Sequence, residues 1–174
     1  MKILFRHGQC SHNISNKISC SIDSKSELTE NGRNVVRNSA INLKEIVSLN
    51  NGPIKIFSSP LLRTRQTSEV ICDVLGLNKN DIIFDNRLKE VDYGTYDEKL
   101  VDGLPYNIYD IDKFGGETYN DIHKRIISFM NDSFNVLETI IIVSHAIPVR
   151  EMHRILTGID DKIRTGDYFI VKNY

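Results

Sequence analysis

Thr139-Ile140-Ile141-Ile142-Val143-Ser144-His145 is the stretch on which the fold turns. Its apolar run is β-branched and nearly unbroken, as expected of a strand covered on both faces within a parallel sheet, and it stops abruptly at a hydroxyl and an imidazole. Two other segments have the same form. Lys2-Ile3-Leu4-Phe5 runs into Arg6-His7-Gly8, and Ile54-Lys55-Ile56-Phe57 runs into Ser58-Ser59-Pro60, although Lys55 makes the second a weaker strand.

Helical patterns separate or follow these strands. From Thr29 to about Leu49, Val36, Ala40, Leu43 and Val47 step by three and four and fall on one helix face, and Asn50-Asn51-Gly52-Pro53 stops the helix. A second helix is expected from Leu61 to Leu75, with Gly76 as its left-handed terminus. Thr118 and Asp121 resemble a capping box before the stripe Ile122, Ile126, Phe129 and Met130. Pro148 suits the first turn of a helix over Val149 to Leu156, and Asp167 to Lys172 reads as a final strand. The alternation predicts an α/β fold, a three-layer sandwich with a mostly parallel central sheet flanked by helices. Val91 to Gly116 breaks the rhythm with five glycines and prolines and with Tyr93, Tyr96, Tyr106 and Tyr109. A long irregular excursion of this kind is expected to be a lid facing a substrate, with a decorated surface loop as the plainer alternative.

The chain's size and composition narrow the rest. Its 174 residues suit a single domain, and 40% hydrophobic with 26% charged residues excludes a disordered or fibrous chain. A formal charge of −1 removes the general case for a nucleic-acid or anionic-membrane partner, so any positive site must be local. No apolar run approaches the roughly 20 residues that span a bilayer, and the start MKILFRHG has no signal-peptide character. Cys10, Cys20 and Cys72 form neither a CxxC pair nor a disulfide framework, which points to a reducing, cytoplasmic setting. The spacing of histidines and cysteines suggests no closed metal site, so neither a metal nor a cofactor is expected.

Ligands of open α/β sheets sit beyond the carboxyl ends of the strands. All three strand exits therefore converge, placing Arg6, His7, Ser58, Ser59 and His145 at one crevice, with Arg63 reaching it from the helix that follows. Guanidinium forks match phosphate oxygens, and an imidazole can act as nucleophile or donor. Taken singly, these arginines and histidines would be surface ion-pair or packing residues. Together they suit a phosphoryl group.

Five blocks occur in order: Arg6-His7-Gly8, Ser58-Ser59-Pro60-Leu61-Leu62-Arg63-Thr64-Arg65-Gln66-Thr67, Leu88-Lys89-Glu90-Val91-Asp92-Tyr93-Gly94, Gly116-Glu117-Thr118 and Val143-Ser144-His145. This pattern, over about residues 2 to 157, resembles the histidine phosphatase superfamily, in its phosphoglycerate mutase-like branch. The resemblance implies that fold, with His7 as the nucleophile that becomes a phosphohistidine. It implies that Arg6, Arg63 and His145 bind the transferring phosphate, with Asn13 as a further donor, and that Glu90 is the proton donor. For Glu90, Asp92 and Glu117 are competing carboxylates; for Asn13 a loop-capping role is the alternative. Arg65 points away from Arg63 at a two-residue helical spacing, and Arg150 stays open. His12, His123 and His153 match no block, and the last two are expected to be helix-surface or packing residues.

Two departures stand out. Gln9-Cys10 replaces the usual Glu-Thr or Glu-Ser, and Ala146 replaces the usual Gly after His145. Neither removes a catalytic group, and Cys10 reads as a small passive residue rather than an oxidation-sensitive thiol. The short interval from Glu90 to His145 implies a lid smaller than that of a mutase, which must shield its phosphohistidine from water. The expectation is therefore a metal-independent phosphatase acting on a small phosphorylated metabolite, similar in layout to the α-ribazole phosphatases. A phosphoglycerate mutase-type phosphotransferase and a non-catalytic phospholigand-binding protein are the alternatives, and the pattern sets no oligomeric state.

Overall fold

The computed structural model describes residues 1–49, 52–103, 112, 115–134 and 138–172. Its strands are β1 (Lys2–Arg6), β2 (Ile54–Ser58), β3 (Ile83–Phe84), β4 (Thr139–Ser144) and β5 (Tyr168–Val171), and its α-helices are α1 (Ser11–Ile14), α2 (Glu30–Ser48), α3 (Leu62–Leu75), α4 (Tyr119–Ser133) and α5 (Ala146–Thr157). The strands form one sheet in the order β3-β2-β4-β1-β5. β4 pairs in parallel with both β1 and β2, β2 pairs in parallel with β3, and β5 runs antiparallel to β1.

The sequence around β4 explains its central position. All six of its residues are buried, and they alternate between two apolar layers. Ile140 and Ile142 join Leu4, Phe129, Val149 and Met152 on the α4 and α5 side. Ile141 and Val143 join Ile3, Phe5, Leu43 and Ile71 on the α2 and α3 side. Burying each such side chain contributes roughly 1.5–3 kcal/mol, which no alternating polar strand could match at this position. The sandwich therefore has the expected three layers. Lys55 is accommodated because it faces outward, paired with Glu138 at 2.8 Å.

The helix limits follow their local chemistry. Thr29 caps α2 by accepting a hydrogen bond from the Gly32 amide at 2.9 Å. Asp121 is long enough for the capping box of α4, since its carboxylate accepts from the Thr118 amide at 3.1 Å while Thr118 Oγ1 accepts from the Asp121 amide at 3.1 Å. α3 ends where expected, at a left-handed Gly76. α5 starts earlier than the position of Pro148 suggests: Ala146 opens it and Pro148 sits third, still within the turn whose N–H groups have no helical partner. Two elements have no sequence signature, the two-residue β3 and the four-residue α1. Both are too short to display a period.

The irregular stretch after Val91 is partly ordered by short 3-10 turns at Gly94–Tyr96 and Val101–Gly103. It is stitched to the loop after α1: the Ile18 amide donates to the Lys99 carbonyl at 2.9 Å, and the Val101 amide donates to the Asn16 carbonyl at 2.8 Å. Pro105, Tyr106 and Tyr109 of the expected lid lie outside the described residues. No described helix is long and apolar enough to cross a membrane.

The loop that follows β1 rests directly on the first turn of α2. A Cβ on Gly32 would lie 2.1 Å from the Gln9 carbonyl oxygen, and one on Gly8 would lie 2.8 Å from the Gly32 carbonyl oxygen. Only glycines permit that approach. Gly32→Ala would gain about 1 kcal/mol of helix propensity but must push two backbones apart, so a net loss of roughly 2 kcal/mol is expected by urea denaturation. Thr29→Ala, which removes the cap without a clash, should cost about 1 kcal/mol in the same assay.

Candidate active site

The parallel register brings the chemistry to one edge of the sheet. Arg6 is opposite Ser144 across β1 and β4, and Ser58 is opposite Val143 across β2 and β4. The His7 amide then donates to the Ser144 carbonyl at 3.0 Å and the Ser59 amide to the Val143 carbonyl at 2.9 Å, so the residues just past each strand are held as firmly as those within it. The Glu90 segment is tied to the same edge, because Ser144 Oγ donates to the Leu88 carbonyl at 2.6 Å. The N-termini of α3 and α5 face the crevice and add positive potential there.

His7 is 3% exposed. Its Nδ1 lies 2.7 Å from the Gly8 carbonyl oxygen, which can only accept, so Nδ1 carries the proton and Nε2 keeps its lone pair. Arg63 Nε donates to that Nε2 at 3.2 Å. Burial, then the Arg63 guanidinium and to a smaller extent that of Arg6, hold the His7 pKa well below the ordinary 6.5, with the Gly8 carbonyl opposing them. The result is a neutral imidazole whose Nε2 lone pair is directed at the Arg63 guanidinium.

His145, fully buried, packs edge-on to His7 with ring centroids 5.1 Å apart. Its Nε2 is 2.9 Å from Ser59 Oγ, and burial followed by Arg63 and His7 keeps its pKa well below 6.5. Arg63 is held by Ser19, whose Oγ accepts from one terminal nitrogen at 3.1 Å and whose carbonyl accepts from the other at 2.8 Å. Arg6 is anchored by donation to the Ile163 carbonyl at 2.7 Å. Arg6 Nε and His145 Nδ1 are buried with no hydrogen-bond partner among the described residues. Unsatisfied buried polar atoms are costly, and two of them at one locus mark a place where an anion's oxygens would be bonded.

Arg6, His7, Arg63, Glu90 and Asn13 all line one cavity of about 190 Å³, with Lys17, His12 and Tyr93 at its sides. Glu90 is partly exposed, and one of its carboxylate oxygens accepts from the Val91 amide at 3.1 Å. The competing carboxylates are occupied elsewhere: Glu117 pairs with Arg125 at 2.7 Å, and Asp92 accepts from the Gly94 amide at 2.8 Å. Asn13 reaches the cavity, yet its Oδ1 is engaged in capping, accepting from the Cys10 amide at 3.0 Å and from Cys10 Sγ at 3.1 Å. Its amide nitrogen is the end left for a ligand. Cys10 is accordingly a buried cap contact. Among the described residues, no three His, Cys, Asp or Glu side chains form a metal-binding group.

Outside the cavity, Arg65 donates to the Pro60 carbonyl and lies over the Phe84 ring, and Arg150 pairs with Asp160. His123 contacts Glu151 at 2.7 Å and His153 stacks on Phe169 at 3.9 Å, both packing roles. Ser19, which carries two bonds to Arg63, is the supporting residue that no sequence signal reveals. It acts through a loop whose path depends on its pairing with Lys99.

The family model described as Histidine phosphatase superfamily (branch 1) matches residues 3–166, and the chain belongs to that family. A probable phosphoglycerate mutase GpmB of Escherichia coli O139:H28 is 37% identical over 101 residues, 58% of this chain, and the same values hold for the GpmB of Shigella boydii serotype 18. The matched segment spans 42% of the length of those relatives. Among solved structures, a phosphoglycerate mutase from Thermus thermophilus superposes with a TM-score of 0.71 at 23% identity, covering 96% of this chain and 90% of that one. The Rv3214 protein of Mycobacterium tuberculosis gives a TM-score of 0.77 at 19% identity, covering 96% and 88%. The fold is that of the phosphoglycerate mutase-like proteins.

Since the folded chain lowers the pKa of both His7 and His145, the unfolded chain takes up protons first as the pH falls below 6.5. The stability these neutral imidazoles allow is present above that pH and drains away below it, toward the lower folded values. Chemical denaturation at stepwise lower pH should show this decline, and the imidazole resonances of His7 and His145 should still report the neutral form after pH 6.5 has been passed.

Proposed function

We propose that this protein is a metal-independent phosphatase that hydrolyses a small phosphorylated metabolite through a phosphohistidine on His7. The observation that carries this reading is the His7 imidazole: a proton fixed on Nδ1 by Gly8, a lone pair on Nε2, and Arg6, Arg63 and Glu90 around the same cavity. Nε2 attacks phosphorus and the bond from phosphorus to the ester oxygen breaks. Arg63 Nε transfers its hydrogen bond from Nε2 to a phosphoryl oxygen, while Arg6 Nε and His145 Nδ1, which have no partner among the described residues, donate to the other oxygens. Donors aimed at the equatorial oxygens stabilise the charge on the transferring group, which is where most of the rate enhancement arises.

Glu90, in its protonated form, gives its proton to the departing alkoxide. The resulting carboxylate takes a proton from water as that water attacks the phosphohistidine, which releases inorganic phosphate and free His7. Asn13 adds a donor to the phosphate through its amide nitrogen. The names of the relatives favour a second reading, mutase-type transfer between positions of phosphoglycerate. Hydrolysis is preferred because the interval from Glu90 to His145 is short, and a smaller lid gives a phosphohistidine less shelter from water.

Phosphate release from a panel of phosphomonoesters is expected to continue in EDTA and to vanish in His7→Ala. Glu90→Gln should lower kcat by about 10²- to 10⁴-fold on poor leaving groups, and less on p-nitrophenyl phosphate, whose leaving group needs little protonation. Interconversion of 2- and 3-phosphoglycerate without net phosphate release would replace this reading with the mutase one.

A further inference from the structure

A second cleft, of about 560 Å³, lies next to the phosphate cavity, and Glu90 is the one described residue that lines both. We propose that the ester's leaving group occupies this cleft, and that the cleft selects neutral polyhydroxylated or amine-bearing alcohols against carboxylates; the inference rests on the phosphatase reading above. A donor that protonates a bridging oxygen must touch the phosphoryl group on one side and the leaving group on the other. Glu90, in the wall between a small and a large cavity, meets that requirement. The larger volume falls within the roughly 300–1,000 Å³ usual for small-molecule sites, and the smaller one suits the phosphoryl group alone.

The two cavities have opposite polarity. Glu90 is the sole carboxylate described in the wall of the smaller one, facing Arg6, Arg63 and Lys17. The larger is lined by Asp92, Asp97 and Glu117 as well as Glu90. Two of its three cations are already committed. Arg87 is bound by Asp85 and Asp132, which stand outside the wall, and Arg125 is bound by Glu117. Lys89 is left, without an ion pair to any described residue.

Asp92 and Asp97 are bonded by neutral backbone amides rather than by cations: Gly94 donates to Asp92, and Cys20 and Ser21 donate to Asp97. Burial above all pushes the pKa of the Cys20 thiol in the same wall up to about 12; a hydrogen bond with the Tyr93 backbone opposes the rise, and Asp97 and Asp92 add to it. A carboxylate on the leaving group would therefore face Asp92 and Asp97, neither of which has a cation in the wall as its partner, against one lysine, whereas hydroxyls or an ammonium would find acceptors.

Glycerol 3-phosphate and 3-phosphoglycerate form a matched pair, since they differ by a hydroxymethyl in place of a carboxylate. Initial rates of phosphate release from both, with phenyl phosphate as a compact neutral reference, give the test. The expected result is a kcat/KM ratio favouring glycerol 3-phosphate by about tenfold or more, which shrinks in Asp92→Asn and widens in Lys89→Glu. Asp92→Asn retains the oxygen that accepts from Gly94, and the opposite sign in the second variant cannot arise from a general loss of folding. His7-dependent turnover of phenyl phosphate with phosphoglycerate equal or preferred, or a ratio that neither variant moves, would overturn this inference and leave the phosphatase reading standing. Absence of turnover on phenyl phosphate would overturn both.

Discussion

Parallel pairing of three neighbouring strands is the constraint on which the rest of the molecule depends. β1, β4 and β2 run side by side in one direction, so the chain leaves all three at the same edge of the sheet, and the exits carry His7, His145 and Ser59. β3 extends the same rule to the Asp85–Glu90 segment, which leaves the sheet beside β2 and is pinned by the Ser144 hydroxyl. A change of direction in any one of these strands would send its exit residues to the opposite side of the molecule.

The site built at this edge is electrostatically tense. Two arginines and two imidazoles share a small buried volume, and both imidazoles respond by staying neutral. Burying a guanidinium is costly unless its donors are satisfied. Arg63 meets that condition through Ser19 and His7, and Arg6 in part through Ile163. What is left over is Arg6 Nε and His145 Nδ1, buried with no hydrogen-bond partner among the described residues. The tight seat of Gly8 on Gly32 fixes the loop that follows His7 against the first turn of α2.

Periodicity made most of the fold legible beforehand. The six buried residues of β4, the stripe of α2, the Thr118–Asp121 box and the Gly76 terminus all express local rules of burial or capping. The short β3 and α1 were not legible, since an element of two or four residues shows no period. Nor was the pairing of the Glu98–Val101 stretch with the loop after α1, where the chain adopts left-handed backbone at Asn16 and at Glu98, a residue type that seldom does so.

The order of the five blocks named the candidate residues of the site, and apolar patterning assigned Arg6, His7 and His145 to strand ends. Both are properties of the chain read one residue at a time. Which nitrogen of His7 carries the proton, that Asn13 spends its carbonyl oxygen on Cys10, that Ser19 holds Arg63, and that Glu90 stands between cavities of opposite polarity were decided by the tertiary structure. Local sequence sets burial and direction along a strand. Protonation, donor satisfaction and the shape of a cleft depend on groups far apart in the chain, whose distances exist only once the sheet has formed.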